Sequence, residues 1–192
     1  MIYDDHAKRY DKIMAPLERA FLSRWRKDTL SHLPKNARIL EVGAGTGLNF
    51  VHYPDSAHAV ASELAIQMIE IAKEKRSPIS LLQADAEMLP FVDGYFDAAF
   101  ATLVFCSIPD PEKAFKELKR VLKDDGKVIL LEHVRPTGML GYLFDVLNVF
   151  TVALMEDHFN RETAKIADAA GLKVVEVKTK ALGIVNLIIC EV

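Results

Sequence analysis

Cysteine is scarce in this chain: 192 residues include only Cys106 and Cys190. Two cysteines are too few for a disulfide framework, and they lack the spacing of metal ligands. That usage fits a reducing, cytoplasmic setting. Excess charge of either sign is also missing. A formal net charge of −3 supplies no basic face for a nucleic-acid partner. The opening MIYDDHAKRYDKIM holds no apolar run, so no secretory signal is expected there. There is no HExxH helix, no nucleophile elbow and no cysteine pair, so neither a metal nor a covalent nucleophile is expected. What remains is the balance of a soluble globular protein, 51% hydrophobic and 27% charged, at a length that suits one domain.

From Ala37 onward, short β-branched runs alternate with helical patterns, the signature of a parallel sheet covered on both faces. ARILEV (Ala37 to Val42) is the first strand and AHAVAS (Ala57 to Ser62) the second, followed by a helix from Ala65 to Lys75. Ile79 to Ala84 and Phe96 to Phe105 are the third and fourth strands, and KVILLEHV (Lys127 to Val134) the fifth. Between the last two, Pro111 sits in the first turn of a helix, where its missing N–H is harmless. Phe115, Leu118 and Leu122 form the apolar stripe of that helix. A helix around Arg161 to Ala170 stops at Gly171, and KVVEVKT with IVNLIICEV closes the chain as an antiparallel pair. Two stretches fall outside this rhythm. Residues 1–33 read as two helices broken at Pro16, and residues 138–157 as an apolar insertion. The expected organisation is a helical lid (1–33), a cofactor-binding core (37–134), the insertion (138–157) and a helix with a hairpin (158–192).

The most informative stretch follows the first strand: Glu41-Val-Gly43-Ala44-Gly45-Thr-Gly47. Glycines there admit positive φ and let a ligand approach backbone N–H groups at a helix start. A dinucleotide fingerprint, G-x-G-x-x-G, would need its third glycine one place later, at Leu48. The G-x-G-x-G spacing, with an acidic residue two places before it, resembles the first motif of the class I S-adenosylmethionine methyltransferases. That resemblance implies an α/β fold with a doubly wound, mostly parallel seven-stranded sheet of order 3-2-1-4-5-7-6, and S-adenosyl-L-methionine as cofactor. It also implies site residues. Glu63, with Leu64, takes the ribose hydroxyls after the second strand, and Asp85, Ala86 and Glu87 take the adenine edge after the third. Phe96-Asp97 matches the family's "FD" signature, and Thr102 and Leu103 lie near the methionine part. The competing readings make Glu63 a neighbour of a helix N-cap and Asp85 a solvated loop carboxylate. One departure is Asp124-Asp125, where the family has Pro-Gly before its fifth strand.

His133, in Glu132-His133-Val134, resembles the end of strand five in lipid and thiol methyltransferases, which implies a base on the acceptor side. The alternative is a histidine bonded to backbone that shapes the pocket. Tyr10, in A-K-R-Y-D, resembles the aromatic that closes over the donor in quinone and phospholipid methyltransferases; plain helix packing would also explain it. Residues 139–155 are apolar on nearly every face but too interrupted, at Asp145 and Asn148, to span a bilayer, which takes about 20 residues. They are expected to cover a small lipophilic acceptor. In the second N-terminal helix Leu17, Phe21 and Trp25 share a face while Arg19, Arg24, Arg26 and Lys27 lie elsewhere. Such a helix can rest on an anionic membrane, or simply pack with its basic face in water.

The expected activity is methyl transfer to a phospholipid amine or an alkyl thiol, with a quinone ring carbon as the alternative. Two rivals come from other classes. A nicotinamide oxidoreductase is opposed by the glycine spacing, whereas a non-catalytic module binding the same cofactor is separable only by assay. A nucleic-acid methyltransferase is disfavoured by charge and by the missing Asn/Asp-Pro-Pro-aromatic motif.

Overall fold

The β-branched and apolar runs become the strands of one sheet. The computed structural model describes residues 2–56, 58–75, 78–136, 141–142, 148, 158 and 160–192. Its strands are β1 (Arg38–Val42), β2 (His58–Glu63), β3 (Ser80–Gln83), β4 (Phe96–Thr102), β5 (Leu122–His133), β6 (Lys173–Lys180) and β7 (Val185–Glu191). They lie in the order β3-β2-β1-β4-β5-β7-β6. Pairing is parallel from β3 to β5, and β7 runs antiparallel to both β5 and β6. This is the doubly wound sheet and the strand order that the family resemblance implied.

Alternation along the strands sends successive side chains to opposite faces. Leu40, Val42, Ala99, Val128 and Leu130 meet Phe115 and Leu118 of α4 (Pro111–Val121). Ile39, Ala98, Phe100 and Ile129 meet Leu30 and Leu33 beyond the other face. Both faces are covered, which is why the central strands read as near-continuous apolar runs. Pro111 occupies the first turn of α4, and the Asp110 side chain caps it by accepting from Lys113 N at 3.0 Å. The last described helix, α5 (Thr163–Ala169), ends as expected at Gly171: its φ is +91°, and Leu172 N donates back to Ala167 O at 3.1 Å.

Three departures from the sequence expectation go beyond shifts of one or two residues at element ends. β4 stops at Thr102 instead of Phe105, because Leu103 turns to φ +60°. The buried Glu132 carboxylate holds that turn, accepting from Val104 N at 3.0 Å and Phe105 N at 3.1 Å. β5 begins at Leu122 instead of Lys127. Leu122 therefore belongs to the sheet, with φ −87° and ψ 152°, paired with Phe96 before the register shifts near Ala98. Pro16, finally, does not break the N-terminal segment. It lies inside α1 (Ile2–Leu17), and the chain continues through a π-helical turn, Glu18–Leu22, into α2 (Ser23–Leu30) with helical backbone angles at both joins. A wide turn lets a helix absorb a local irregularity without ending.

That continuity resets the faces of the segment. Leu22, Arg26, Thr29 and Leu30 point inward, whereas Ile13, Leu17 and Phe21 stay exposed. The expected solvated basic face is thus wrong at Arg26, which is 4% exposed. α1 lies across α3 (Ile66–Glu74), where Ala7 packs on Ala65 and Met68. The apolar insertion at 138–157 falls outside the described residues apart from 141–142 and 148.

Candidate active site

Open α/β sheets bind ligands beyond the carboxyl ends of their strands, and a cavity of about 470 Å³ opens there. Its floor is the glycine turn after β1. Gly43, Gly45 and Gly47 take φ of +68°, +54° and +78°, a region that side chains with a Cβ enter at a cost of about 1–2 kcal/mol. Their surroundings separate their roles. A Cβ on Gly43 would meet Val104 at 2.5 Å, and one on Gly47 would meet Phe50 at 2.5 Å. A Cβ on Gly45 would meet nothing within 4 Å, because that residue faces the cavity. Gly45 is the bare step on which a ligand can rest.

β2 brings Glu63 beside it. One carboxylate oxygen accepts from Gly45 N at 2.8 Å; the other accepts from Leu64 N and Ala65 N, each at 2.9 Å. Glu63 is therefore tied to the start of α3, as the N-cap reading expects, and it also lines the cavity. Three of its roughly four acceptor positions are taken by backbone N–H groups. Past β3, Asp85 lines the cavity and uses one oxygen to accept from Glu87 N at 2.8 Å. Ala86 and Leu64 line it as well, as do Ala44, Thr102 and Leu103.

Glu41, Gly47 and Glu87 are not among the lining residues. Glu87 instead accepts from Asp110 N at 2.8 Å, fastening the loop after β3 to α4. Glu41 is fully buried behind the turn, accepting from Asn49 Nδ2 and the Tyr53 hydroxyl at 2.5 Å each. Burial pushes its carboxyl above the usual range, against the lowering effect of those two hydrogen bonds. Burial, and then the Glu41 charge, drives the Tyr53 phenol well above its ordinary value of 10.0.

His133, at the end of β5, also lines the cavity, as does the buried Cys106. Desolvation lowers the imidazole to about 4, so it is neutral at neutral pH. Tyr10 and Met14 of α1 line the cavity too. The residue that sequence reasoning missed is Arg26. It shares a helical face with Leu22 and Leu30 at i, i+4 and i+8 spacing, a signal masked by treating every arginine of α2 as solvated. Among the described residues, no group of His, Cys, Asp and Glu is placed to hold a metal ion.

The cavity fits an adenosine-bearing amino acid: carboxylates for hydroxyls at one end, a bare glycine at the centre, and a cation at the other. Comparison with known proteins agrees. Residues 40–130 match the family model described as "Methyltransferase domain". A demethylmenaquinone methyltransferase from Thermus thermophilus is 34% identical over 157 residues, covering 76% of this chain and 70% of that protein. A phosphatidylethanolamine N-methyltransferase from Cereibacter sphaeroides is 32% identical over 124 residues, covering 60% of this chain and 61% of that one. The chain spans only 59% and 60% of the length of two further demethylmenaquinone methyltransferases that it matches. In fold, a SAM-dependent methyltransferase from Thermotoga maritima superposes with a TM-score of 0.76 at 24% identity, covering 99% of this chain and 98% of its own. The chain belongs to the class I S-adenosylmethionine-dependent methyltransferases, among relatives that include quinone and phospholipid enzymes.

Proposed function

We propose that this protein methylates a small lipophilic acceptor, with a quinol ring carbon ahead of a phospholipid amine or alkyl thiol. The observation that carries the methyltransferase reading is the open Gly45 step flanked by the Glu63 and Asp85 carboxylates. The ends of the sequence motifs alone put the amine and the thiol first. The demethylmenaquinone methyltransferase relatives support the quinol instead, and the phosphatidylethanolamine relative keeps the amine second.

S-adenosylmethionine bound in the cavity supplies a methyl group already activated on a sulfonium. The chain's own work is then to align, to exclude water and to manage one proton. Gly43, Ala44 and Gly45 would present backbone to the ligand, the acceptor position left on Glu63 would take one ribose hydroxyl, and Asp85 with Ala86 would hold the base edge. Tyr10 on α1 and the neutral His133 face the acceptor end, where His133 offers a nitrogen lone pair to an acceptor hydroxyl. Apolar residues such as Val104, Ile108 and Met14 line the remaining wall, in keeping with a lipophilic partner.

Quinols and phospholipids reside in membranes. No helix of the described residues is long and apolar enough to cross one. The exposed Ile13, Leu17 and Phe21 on the N-terminal segment, 63%, 44% and 37% exposed, support a peripheral contact on the cytoplasmic surface. The deciding experiment measures transfer of a labelled methyl group to demethylmenaquinol, phosphatidylethanolamine vesicles, a short alkyl thiol and free glycine. Transfer to the quinol above the others supports the reading, and transfer only to glycine overturns it. Cofactor binding with no transfer to any acceptor leaves a non-catalytic binding module.

A further inference from the structure

The loop between β4 and α4 forms one wall of the cavity without being helix or strand: Val104, Cys106, Ser107, Ile108 and Pro109 all line it. Backbone groups that lack a ladder must find partners elsewhere. Glu132 of β5 takes the Val104 and Phe105 N–H groups, and the Val104 carbonyl accepts from Ser107 N at 3.0 Å. The carbonyls that follow are met by residues some 50 positions later in the chain. Arg161 Nη1 donates to both Phe105 O and Ile108 O, the second at 2.6 Å, and His158 N donates to Cys106 O at 2.8 Å. A single guanidinium nitrogen thus bridges two carbonyls three residues apart, one with each of its hydrogens.

Arg161 stands two residues before α5, and its own carbonyl accepts from Arg135 N at 3.2 Å, just past the end of β5. Its backbone therefore joins two stretches of chain at a neck, and its side chain joins that neck to the cavity wall. The start of the loop is anchored independently. Leu103 N donates to Leu131 O at 2.7 Å, and the Thr102 hydroxyl accepts from Arg26 and Asn49. The Phe105 ring stacks on Phe115 in the core, 4.1 Å between centroids. What Arg161 adds is the course of the backbone from Phe105 to Ile108, and so the direction from which Cys106, Ser107 and Ile108 face the cavity. Arg161 is not itself among the lining residues.

Resting on the methyl-transfer reading above, we propose that Arg161 is a positioning residue that sets acceptor specificity, by fixing the Phe105–Ile108 backbone in one shape against the cavity. A charged donor holds a carbonyl more tightly than a neutral one, and a guanidinium keeps its charge in a protein. A wall held in one shape discriminates among acceptors, whereas a wall free to repack admits several, each with lower affinity.

Two measurements test this, and the first needs no acceptor. Cys106 of the loop and Cys190 of β7 are both buried, at 3% and 0% exposure, so their alkylation by iodoacetamide reports local and global opening separately. Arg161→Met should speed alkylation at Cys106 by about tenfold or more, read by mass spectrometry, and leave Cys190 unchanged. Arg161→Lys, whose ammonium can still bridge both carbonyls, should restore most of the protection, and it serves if the methionine variant fails to fold. Equal acceleration at both cysteines, or none at either, overturns the assignment. The second measurement uses demethylmenaquinol, phosphatidylethanolamine vesicles and a short alkyl thiol. Arg161→Met should raise KM for the preferred acceptor by about tenfold, with kcat within about threefold, and shrink the kcat/KM ratio between the best two acceptors by about tenfold. Calorimetric affinity for S-adenosylhomocysteine should hold within about twofold, because the start of the loop is anchored elsewhere. A uniform loss on every acceptor, with that ratio kept, overturns the specificity role. Absence of transfer by the wild-type protein to any of the three would instead defeat the acceptor reading, and the alkylation pattern would still decide whether Arg161 holds the wall.

Discussion

The Asp11 carboxylate on α1 accepts a hydrogen bond at 2.5 Å from the Thr46 hydroxyl, which stands inside the glycine turn. Its other oxygen lies 3.0 Å from Lys75 Nζ at the end of α3. Two elements far apart in sequence are thus latched above the same cavity, and Tyr10, the next residue back along α1, faces into it. The ion pair is partly exposed and contributes little by itself. The hydrogen bond to Thr46 is part-buried and is worth about 1 kcal/mol.

Asp11→Ala should therefore leave the fold intact and speed the escape of the bound product, S-adenosylhomocysteine, by several-fold. Stopped-flow release rates, compared with the thermal midpoint, provide the check. Deleting residues 1–15 should have a larger effect on turnover, because Tyr10 and Met14 go with them. Unchanged release in both proteins would show that α1 does not close the site.

The glycine turn separates a fold defect from a binding defect. Gly43→Ala puts a Cβ 2.5 Å from Val104 at φ +68°, so it should destabilise by about 2 kcal/mol or more, through overpacking and strain. Gly45→Ala meets no atom within 4 Å, so its stability cost should stay near the conformational strain of about 1–2 kcal/mol. Its methyl group fills the ligand's step, however, and binding should be lost. Urea unfolding paired with calorimetry distinguishes the two, and a Gly45→Ala protein that binds normally would remove that residue from the site.

How far the sequence spoke depended on whether partners were local. The strands and the glycine turn were legible because strand runs, crossover helices and the G-x-G-x-G spacing are read over short windows; the sheet order came only with the family resemblance that the turn carries. Leu122 was misread because it sits four residues after Leu118 and extends the helical period of α4, while the pairing with Phe96 that pulls it into β5 is remote. Pro16 promised a break that the π-helical turn absorbed. Arg26 and Glu41 were opaque for a related reason. Their meaning lies in Asn49, Tyr53 and Thr102, which only folding brings to them.

Glu41 should impose a pH dependence on stability. Burial raises its folded-state value above the ordinary 4.5, so the folded protein holds a proton that the unfolded chain has released. The stabilisation is full below about 4.5 and is lost as pH rises through the raised value. Asp28, Asp97 and Glu117, lowered chiefly by hydrogen bonds to Lys180, Lys123 and Arg120, slope the opposite way and cancel in a comparison of variants. The stability of wild type minus that of Glu41→Gln should therefore fall as pH rises above 4.5. Urea titrations from pH 4.5 to 8 measure it, and a rising difference would contradict the sign.

His133 offers the sharpest discrimination at the acceptor end. With desolvation holding its imidazole at about 4, the folded protein keeps it neutral from pH 6 to 8, where a free histidine would titrate near 6.5. It can accept a hydrogen bond from an acceptor hydroxyl, yet it is a weak base, and base strength governs how much proton transfer assists. His133→Ala should accordingly slow quinol methylation by about tenfold, below the roughly hundredfold or greater effect of a well-matched general base. A thiol acceptor should lose little above its own ionisation, because the thiolate needs no base. The kcat/KM of the wild-type enzyme for the quinol should show no inflection near 6.5 that His133→Ala abolishes. An inflection of that kind would mean that the imidazole is hydrated and basic in the working enzyme, and would make His133 the catalytic base in full.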